Sequence, residues 1–377
     1  MSRPPASPAF LVAVCQIGAE RALKQEVGRD HPGLAAAFAR PGLVTFKSLD
    51  GPIADDFDLR AVFARAYAVA IGPRDGDGAI LAEAAALRGS GAPLRLHVWP
   101  RDRRRPGEEP APGEPPDAAA GEALRERLLL AGAGLFLGGG PAAAGERVLD
   151  VIVAPGEPHF VRHHRQGRSP GPHSPYPGGL IPDEVPEGAP SRAYRKIEEA
   201  IAWSGARLEA GQVAVEIGSA PGGASMALLR RGLRVVGIDP GAMDERVLRQ
   251  PGFTHLAMAV GAVERALLPP RADWLLLDVN LAPQVALRQA GRLVAALRPS
   301  LRGAFFTLKL NDWATAAKVP TLLARVGELG FSRVRATQLP SNRQEILVFA
   351  ERTPAPARPP RPARATPAGS GRGGRRG

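Results

Sequence analysis

Cysteine is nearly absent: Cys15 is the only one in 377 residues. A lone thiol excludes an internal disulfide and points to a reducing compartment. No apolar run approaches the length of a membrane span. Met1 to Phe10 have no long apolar core behind a basic start, so neither a signal peptide nor a membrane contact is expected. A soluble cytoplasmic protein, in the simplest case a monomer, follows. Two nucleotide signatures are also missing. The glycine-rich turn at 218–223 is not the GxGxxG of the hydride-transfer enzymes, and no GxxxxGK phosphate loop occurs anywhere, so nothing promises to hold a pyrophosphate. One stretch lacks acid. Residues 353–377 carry six arginines and no Asp or Glu, half of the net charge of +12. This Pro-, Gly- and Ala-rich tail cannot pack a core and reads as disordered, either solubilising or drawn non-specifically to phosphates.

Glycine and proline are abundant, 44 and 39 residues, and one glycine-rich stretch organises the rest. Val213 to Asp239 (VAVEIGSAPGGASMALLRRGLRVVGID) reads as strand, turn, helix and second strand. Val213, Val215 and Ile217 alternate with Ala214 and Glu216, a mostly apolar run that suits a strand buried on both faces. The turn holds Gly218, Ala220, Pro221, Gly222 and Gly223. It lets backbone approach a ligand and leaves N–H groups near a helix N-terminus. Gly232 ends the helix. Asp239, at the end of the second strand, is placed to accept hydrogen bonds from a ribose diol. Strand and helix patterns alternate onward for about 160 residues, which argues for a doubly wound α/β sheet with its ligands at the carboxyl ends of the strands. Asp239, Asp278 and Lys309 all fall at or near such ends.

The front half is less patterned. Residues 1–75 read as a small α+β unit and 80–170 as a second one, with an exposed insertion at 101–121. His163 and His164 invite a metal reading, but neighbours in a strand point to opposite faces, and no further His or Cys cluster completes a site. They are expected to be structural or to contact RNA, and no metal is expected. Residues 171–187 form a Pro-rich linker, read as a stiff tether. Ser191 to Trp203 form an amphipathic helix with Ser191 as its N-cap. That helix carries Lys196, by spacing alone an ordinary surface lysine.

A turn without a pyrophosphate loop, followed by a ribose-binding carboxylate, fits an adenosine bearing a charged amino-acid end: S-adenosylmethionine. Residues 188–352 resemble the RrmJ/FtsJ-type ribose 2′-O-methyltransferases, and more closely the bacterial 23S ribosomal RNA cytidine 2′-O-methyltransferase M family (RlmM). The resemblance rests on SRAYRKIEEA, EIGSAPGG, VVGID followed by PGAM, WLLLD, FFTLKL and RQEILVF in family order, with HSPYPGG and APSR in the linker. It implies a Rossmann-like class I methyltransferase domain behind a ferredoxin-like domain (1–75) and an RNA-binding THUMP-like domain (80–170). It also implies a Lys-Asp-Lys-Glu tetrad of Lys196, Asp278, Lys309 and Glu345, with 23S ribosomal RNA or its precursor as partner.

A ribose 2′-hydroxyl must lose its proton as it attacks a methyl group. Lys309 can take it if burial and a second lysine lower its pKa, whereas Asp278 and Glu345 pull the other way. The chain departs from the family at Glu216, Ser219 and Ala220. It also departs at Ala193 and Ala259, where family members place cofactor contacts. Two alternatives stand beside this reading: a non-catalytic RNA-binding protein on a methyltransferase scaffold, and a methyltransferase of a different RNA. A base or DNA methyltransferase fits poorly, because DVNLAP follows the WLLLD strand where an aromatic platform for a flipped base is wanted.

Overall fold

The computed structural model describes residues 10–102, 105, 108, 117–154, 156–168, 173–181 and 185–352. The tail at 353–377 and most of the insertion at 101–121 lie outside these residues. The front half contains β1 (Phe10–Val14), α1 (Glu20–Asp30), β2 (Leu34–Arg40), β3 (Leu43–Ser48), β4 (Ala66–Arg74), α2 (Gly76–Arg88), β5 (Arg95–Pro100), α3 (Asp117–Ala131), β6 (Arg147–Val153) and β7 (His159–Arg165). Its strands form one seven-stranded sheet in the order β2-β3-β1-β4-β7-β6-β5. The break expected between residues 75 and 80 is therefore not a break in the sheet. β4 pairs with β1 on one side and β7 on the other. This pairing joins residues almost a hundred positions apart, beyond the reach of any local pattern. β2 also went unpredicted. Its sequence, LAAAFAR, is poor in β-branched residues, and only Leu34 is buried.

The second half contains α4 (Ala193–Ser204), β8 (Val213–Ile217), α5 (Gly223–Arg230), β9 (Arg234–Ile238), α6 (Glu245–Leu248), β10 (Phe253–Leu256), β11 (Trp274–Asp278), α7 (Pro283–Leu297), β12 (Gly303–Lys309), α8 (Val319–Glu328), β13 (Arg333–Thr337) and β14 (Glu345–Glu351). The sheet order is β10-β9-β8-β11-β12-β14-β13. The first five strands are parallel, and β14 runs antiparallel between β12 and β13. This is the expected doubly wound sheet. Alternation along β8 sorts its two faces. Ala214 joins an apolar cluster with α4 and α5, whereas Val215 and Ile217 join one with α7 and α8. Helices on both faces leave one exit for function, the carboxyl ends of the parallel strands.

The Pro-rich segment does more than tether. His173 is buried, stacked on His164 at 4.4 Å and tilted against Tyr67 at 4.7 Å. The Pro175 carbonyl accepts from Ala142 N–H (2.7 Å). The halves also touch directly. Val62 O accepts from Gln338 N–H (2.8 Å), and Phe63 meets Trp313 edge-on at 6.2 Å. Leu11, Leu23 and Phe63 share one apolar cluster with Phe306, Val319 and Leu322. Among the described residues no helix is long and apolar enough to cross a membrane.

Candidate active site

The glycine turn sits where β8, β9 and β11 end, and its glycines are there for space. Gly218 has φ +84°, and a Cβ on it would lie 2.1 Å from the backbone carbonyl oxygen of Asp278. Gly223 opens α5 against the loop before α4, where a Cβ would meet Ser191 Oγ at 2.3 Å and Ser191 O at 2.7 Å. Gly222 (φ +113°) faces Val247 and Met243, and the Ala220–Pro221 peptide is cis. Asp239 closes the turn. Its Oδ2 accepts from Ala220 N–H (3.2 Å) and its Oδ1 from Gly241 N–H (2.7 Å). The carboxylate thus ties the glycine turn to the loop that follows β9.

Beside this turn the four expected side chains meet. Lys196 comes from α4, Asp278 ends β11, Lys309 ends β12, and Glu345 begins β14 as the cross-strand partner of Lys309. Lys196 Nζ lies 3.1 Å from Asp278 Oδ2 and 2.5 Å from Glu345 Oε1. Lys309 Nζ lies 2.8 Å from Asp278 Oδ1 and 2.5 Å from Glu345 Oε2. The result is a closed ring of alternating charge, two ammoniums bridged by two carboxylates. Burial acts to lower the Lys309 pKa, but the carboxylates of Asp278 and Glu345 outweigh it and hold the ammonium above its ordinary value. Burial likewise acts to raise Glu345, and the two lysines outweigh it and hold the carboxylate below its ordinary range. Of the two opposed influences on Lys309, the carboxylates win. Lys309 carries its proton at neutral pH in the free protein.

Residues 189–298 match the family model described as FtsJ-like methyltransferase, a span that takes in the glycine turn, Lys196, Asp239 and Asp278. That match takes in two of the four ring residues, and Lys309 and Glu345 lie beyond it. The chain is also 34% identical over 204 residues to the ribosomal RNA large subunit methyltransferase M of Alkalilimnicola ehrlichii, covering 49% of this chain and 52% of the relative. It is 34% identical over 195 residues to that of Halorhodospira halophila, covering 50% and 55%. It is 32% identical over 237 residues to that of Methylococcus capsulatus, covering 60% and 63%. The matches therefore span between about half and three fifths of these relatives' own lengths.

Among the described residues the second half buries four acids outside the ring, Glu198, Glu199, Glu216 and Asp273, and of these Glu216 lies nearest the ring residues' own cavity. Glu216 lies on the α4/α5 face of β8, accepts from Ser225 Oγ (2.5 Å), and lines a small cavity of about 30 Å³ with Lys196 and Asp278. Burial, with smaller contributions from Asp278 and Asp239, pushes its pKa from 4.5 up to about 8. A carboxyl raised on folding is a stability liability at high pH. The folded state keeps a proton that the unfolded chain sheds above about 4.5, so stability falls as pH rises from there to about 8. Glu216→Gln mimics the neutral acid. Its melting temperature should match wild type at pH 5 and exceed it by several degrees at pH 8, because each pH unit is worth about 1.4 kcal/mol. Equal melting curves at both pH values would show that Glu216 is already ionised.

Other sequence-derived residues are settled by burial. His163 and His164 are buried, and His164 Nδ1 lies 3.0 Å from Asp150 Oδ2. They are structural residues of the front sheet. No group of metal-ligating side chains occurs among the described residues. Ser191 lies two residues before α4, where its Oγ accepts from Ala193 N–H (3.3 Å). Asn342 was not anticipated. Its Oδ1 accepts from Leu339 N–H (2.8 Å) while its Nδ2 donates to Glu345 Oε1 (3.4 Å), so it holds the loop that presents Glu345. Its only sequence signal is a position three residues before that acid.

Proposed function

We propose that this chain transfers a methyl group from S-adenosylmethionine to a ribose 2′-hydroxyl of RNA, with 23S ribosomal RNA of the large subunit, and a cytidine within it, as the target. The carrying observation is the closed Lys196–Asp278–Lys309–Glu345 ring at the strand ends, directly beside the glycine turn. The turn fits the cofactor. Gly218 and Gly223 have no room for a Cβ, and Asp239 orients the loops on either side. Bound there, S-adenosylmethionine would supply an electrophilic methyl group and leave as a neutral thioether.

The protein's part is to position the hydroxyl and manage its proton. Lys309, held by two carboxylates, can orient the 2′-oxygen as a donor. It can accept the hydroxyl proton only after a proton has left the ring. Asp278 bridges both lysines, so it fixes the ammonium geometry while Glu345, almost fully buried, anchors the far side. Alignment of the attacking oxygen accounts for much of the rate gain in such a site. The cytoplasm is the compartment in which this substrate is found. The front sheet, with a ferredoxin-like portion in 1–75 and a THUMP-like portion in 80–170, would carry RNA-binding surface, aided by the basic tail.

The test is methyl transfer to ribosomal RNA from a strain lacking the gene, with 2′-O-methyl groups mapped with and without the protein. One new 2′-O-methyl on 23S RNA is the expected result. RNA binding without transfer would instead support the non-catalytic scaffold. Asp239→Ala is expected to weaken S-adenosylmethionine binding about 10- to 100-fold, the worth of hydrogen bonds to a charged group. Unchanged affinity by calorimetry would remove the ribose-contact role.

A further inference from the structure

β13 is the outer strand of the second sheet, and among the described residues no further strand pairs with its flank. The front half leans over it instead. Gln338 Nε2 donates to Gln16 Oε1 (2.6 Å), and Arg65 Nη2 donates to Asn342 O (2.7 Å). Between these contacts lies a cavity of about 590 Å³, walled by β13, α4, the Pro-rich segment and the front sheet. That is within the roughly 300–1,000 Å³ range of small-ligand sites.

Its lining is incomplete as protein. Arg65 Nε, Arg335 Nε, His173 Nε2 and Gln338 Oε1 are all buried atoms of lining residues with no hydrogen-bond partner among the described residues. His173 is 7% exposed and Gln338 0%. Gln338 is therefore sealed behind the wall, whereas Arg65 and His173 keep a little surface, and unpaired polar groups at the wall of a cleft favour a polar occupant. Burial holds His173 well down, at about 3, so its ring is neutral and can donate or accept. The mouth holds two exposed arginines, each beside a carboxylate, Asp58 for Arg60 and Glu351 for Arg333. Arg60 and Arg333 have side chains 82% and 65% exposed. Arg60 is the one non-glycine residue at positive φ among those described (φ +48°), with its Nε tied to Asp58 Oδ2 (2.8 Å). Such strain persists where the surroundings over-determine it, commonly at ligand sites. Tyr176 and Trp203 add aromatic faces to the lining.

We propose that this cleft takes one unpaired nucleotide of the substrate RNA, its phosphate on Arg60 and Arg333 at the mouth and its base beside Arg65 and His173. The inference rests on the RNA-methylating function proposed above. Unpaired bases offer hydrogen-bonding edges and a stacking face, which is how proteins read single-stranded RNA. The cleft is tied to the catalytic ring. Leu339 forms part of its wall and of the small cavity beside Lys196, and Asn342 receives Arg65 on one side and holds Glu345 on the other. A nucleotide seated there would set the register of the strand that brings the target ribose to Lys309.

The test uses the full chain and unmethylated 23S ribosomal RNA. RNA binding is read by filter retention, and KM for RNA is read separately. Arg60→Glu combined with Arg333→Glu should weaken RNA binding roughly tenfold or more and reduce the salt slope by about one to two phosphate contacts. S-adenosylmethionine affinity should stay at the wild-type value. Arg29→Glu with Arg249→Glu makes the same charge change elsewhere and should shift RNA binding far less. Equal shifts in the two double variants, or none in the first, would overturn the proposal. So would nucleoside 5′-monophosphates that bind the wild type and not the first variant while RNA affinity is the same in both, since the ligand would then be a free nucleotide. Filter retention keeps this result separate from the proposed function. A wild type that binds RNA through Arg60 and Arg333 but transfers no methyl group defeats only the earlier reading.

Discussion

Lys309→Ala is expected to abolish methyl transfer while S-adenosylmethionine still binds. General acid–base groups contribute about 10²- to 10⁴-fold, so a loss of at least that size in kcat is the result to look for. The ring makes the outcome more informative than a simple knockout. Removing Lys309 leaves Asp278 and Glu345 sharing Lys196 alone, with the Glu345 side chain only 5% exposed. Part of any loss would come from an uncompensated buried charge. Lys309→Gln keeps the size, and melting curves of both variants separate unfolding from lost chemistry. Lys309→Arg then decides between roles. An arginine cannot give up its proton, so activity in Lys309→Arg would establish an orienting cation, and inactivity with intact cofactor binding would support a base.

The pH profile adds an independent reading. The carboxylates hold Lys309 above its ordinary 10.5, so the neutral fraction in the free protein rises tenfold per pH unit throughout the accessible range. A lysine base therefore predicts a wild-type kcat/KM that climbs with pH without levelling near neutrality. A flat profile above pH 7 would rule out that base in favour of positioning.

These roles were legible in the sequence to different depths. The second sheet was readable almost strand by strand, because buried parallel strands are apolar runs that end abruptly in a charged residue, as WLLLD does at Asp278. The four ring residues could be named from resemblance, and their convergence follows from the topology, since Lys309 and Glu345 are register partners on adjacent strands. The balance of charge within the ring was not legible, because it depends on distances of a few ångströms between side chains from four elements. The joining of the front half into one sheet was not legible for a related reason. Its single sheet depends on β4 meeting β7, and its docking depends on Val62 meeting Gln338, contacts between residues remote in the chain. The cleft along β13 is a product of that docking, so no stretch of sequence announces it.

Gly218→Ala is expected to be the most damaging small substitution in the second half. The new methyl carbon would lie 2.1 Å from the Asp278 carbonyl oxygen, 2.8 Å from the Asp278 carbonyl carbon and 2.8 Å from a Val279 methyl, at a residue with φ +84°. Two of these neighbours are backbone and cannot rotate away. Left-handed strain costs about 1–2 kcal/mol and forced overpacking about 1–3 kcal/mol, so the melting temperature should fall on the order of 10 °C. The functional loss should exceed that. Gly218 N–H donates to Ile238 O (2.9 Å), next to Asp239, while its Cα backs onto Asp278. One displaced residue thus moves Asp239 and the ring's Asp278 together. A shift of about 1 Å in a positioned site costs about 10²-fold, so both cofactor affinity and turnover should collapse at a temperature where the variant is still folded. A Gly218→Ala protein that melts lower yet binds S-adenosylmethionine normally would show that the turn and the ring are mechanically separate. In that case the ribose-methylating site would have to be built from the ring alone.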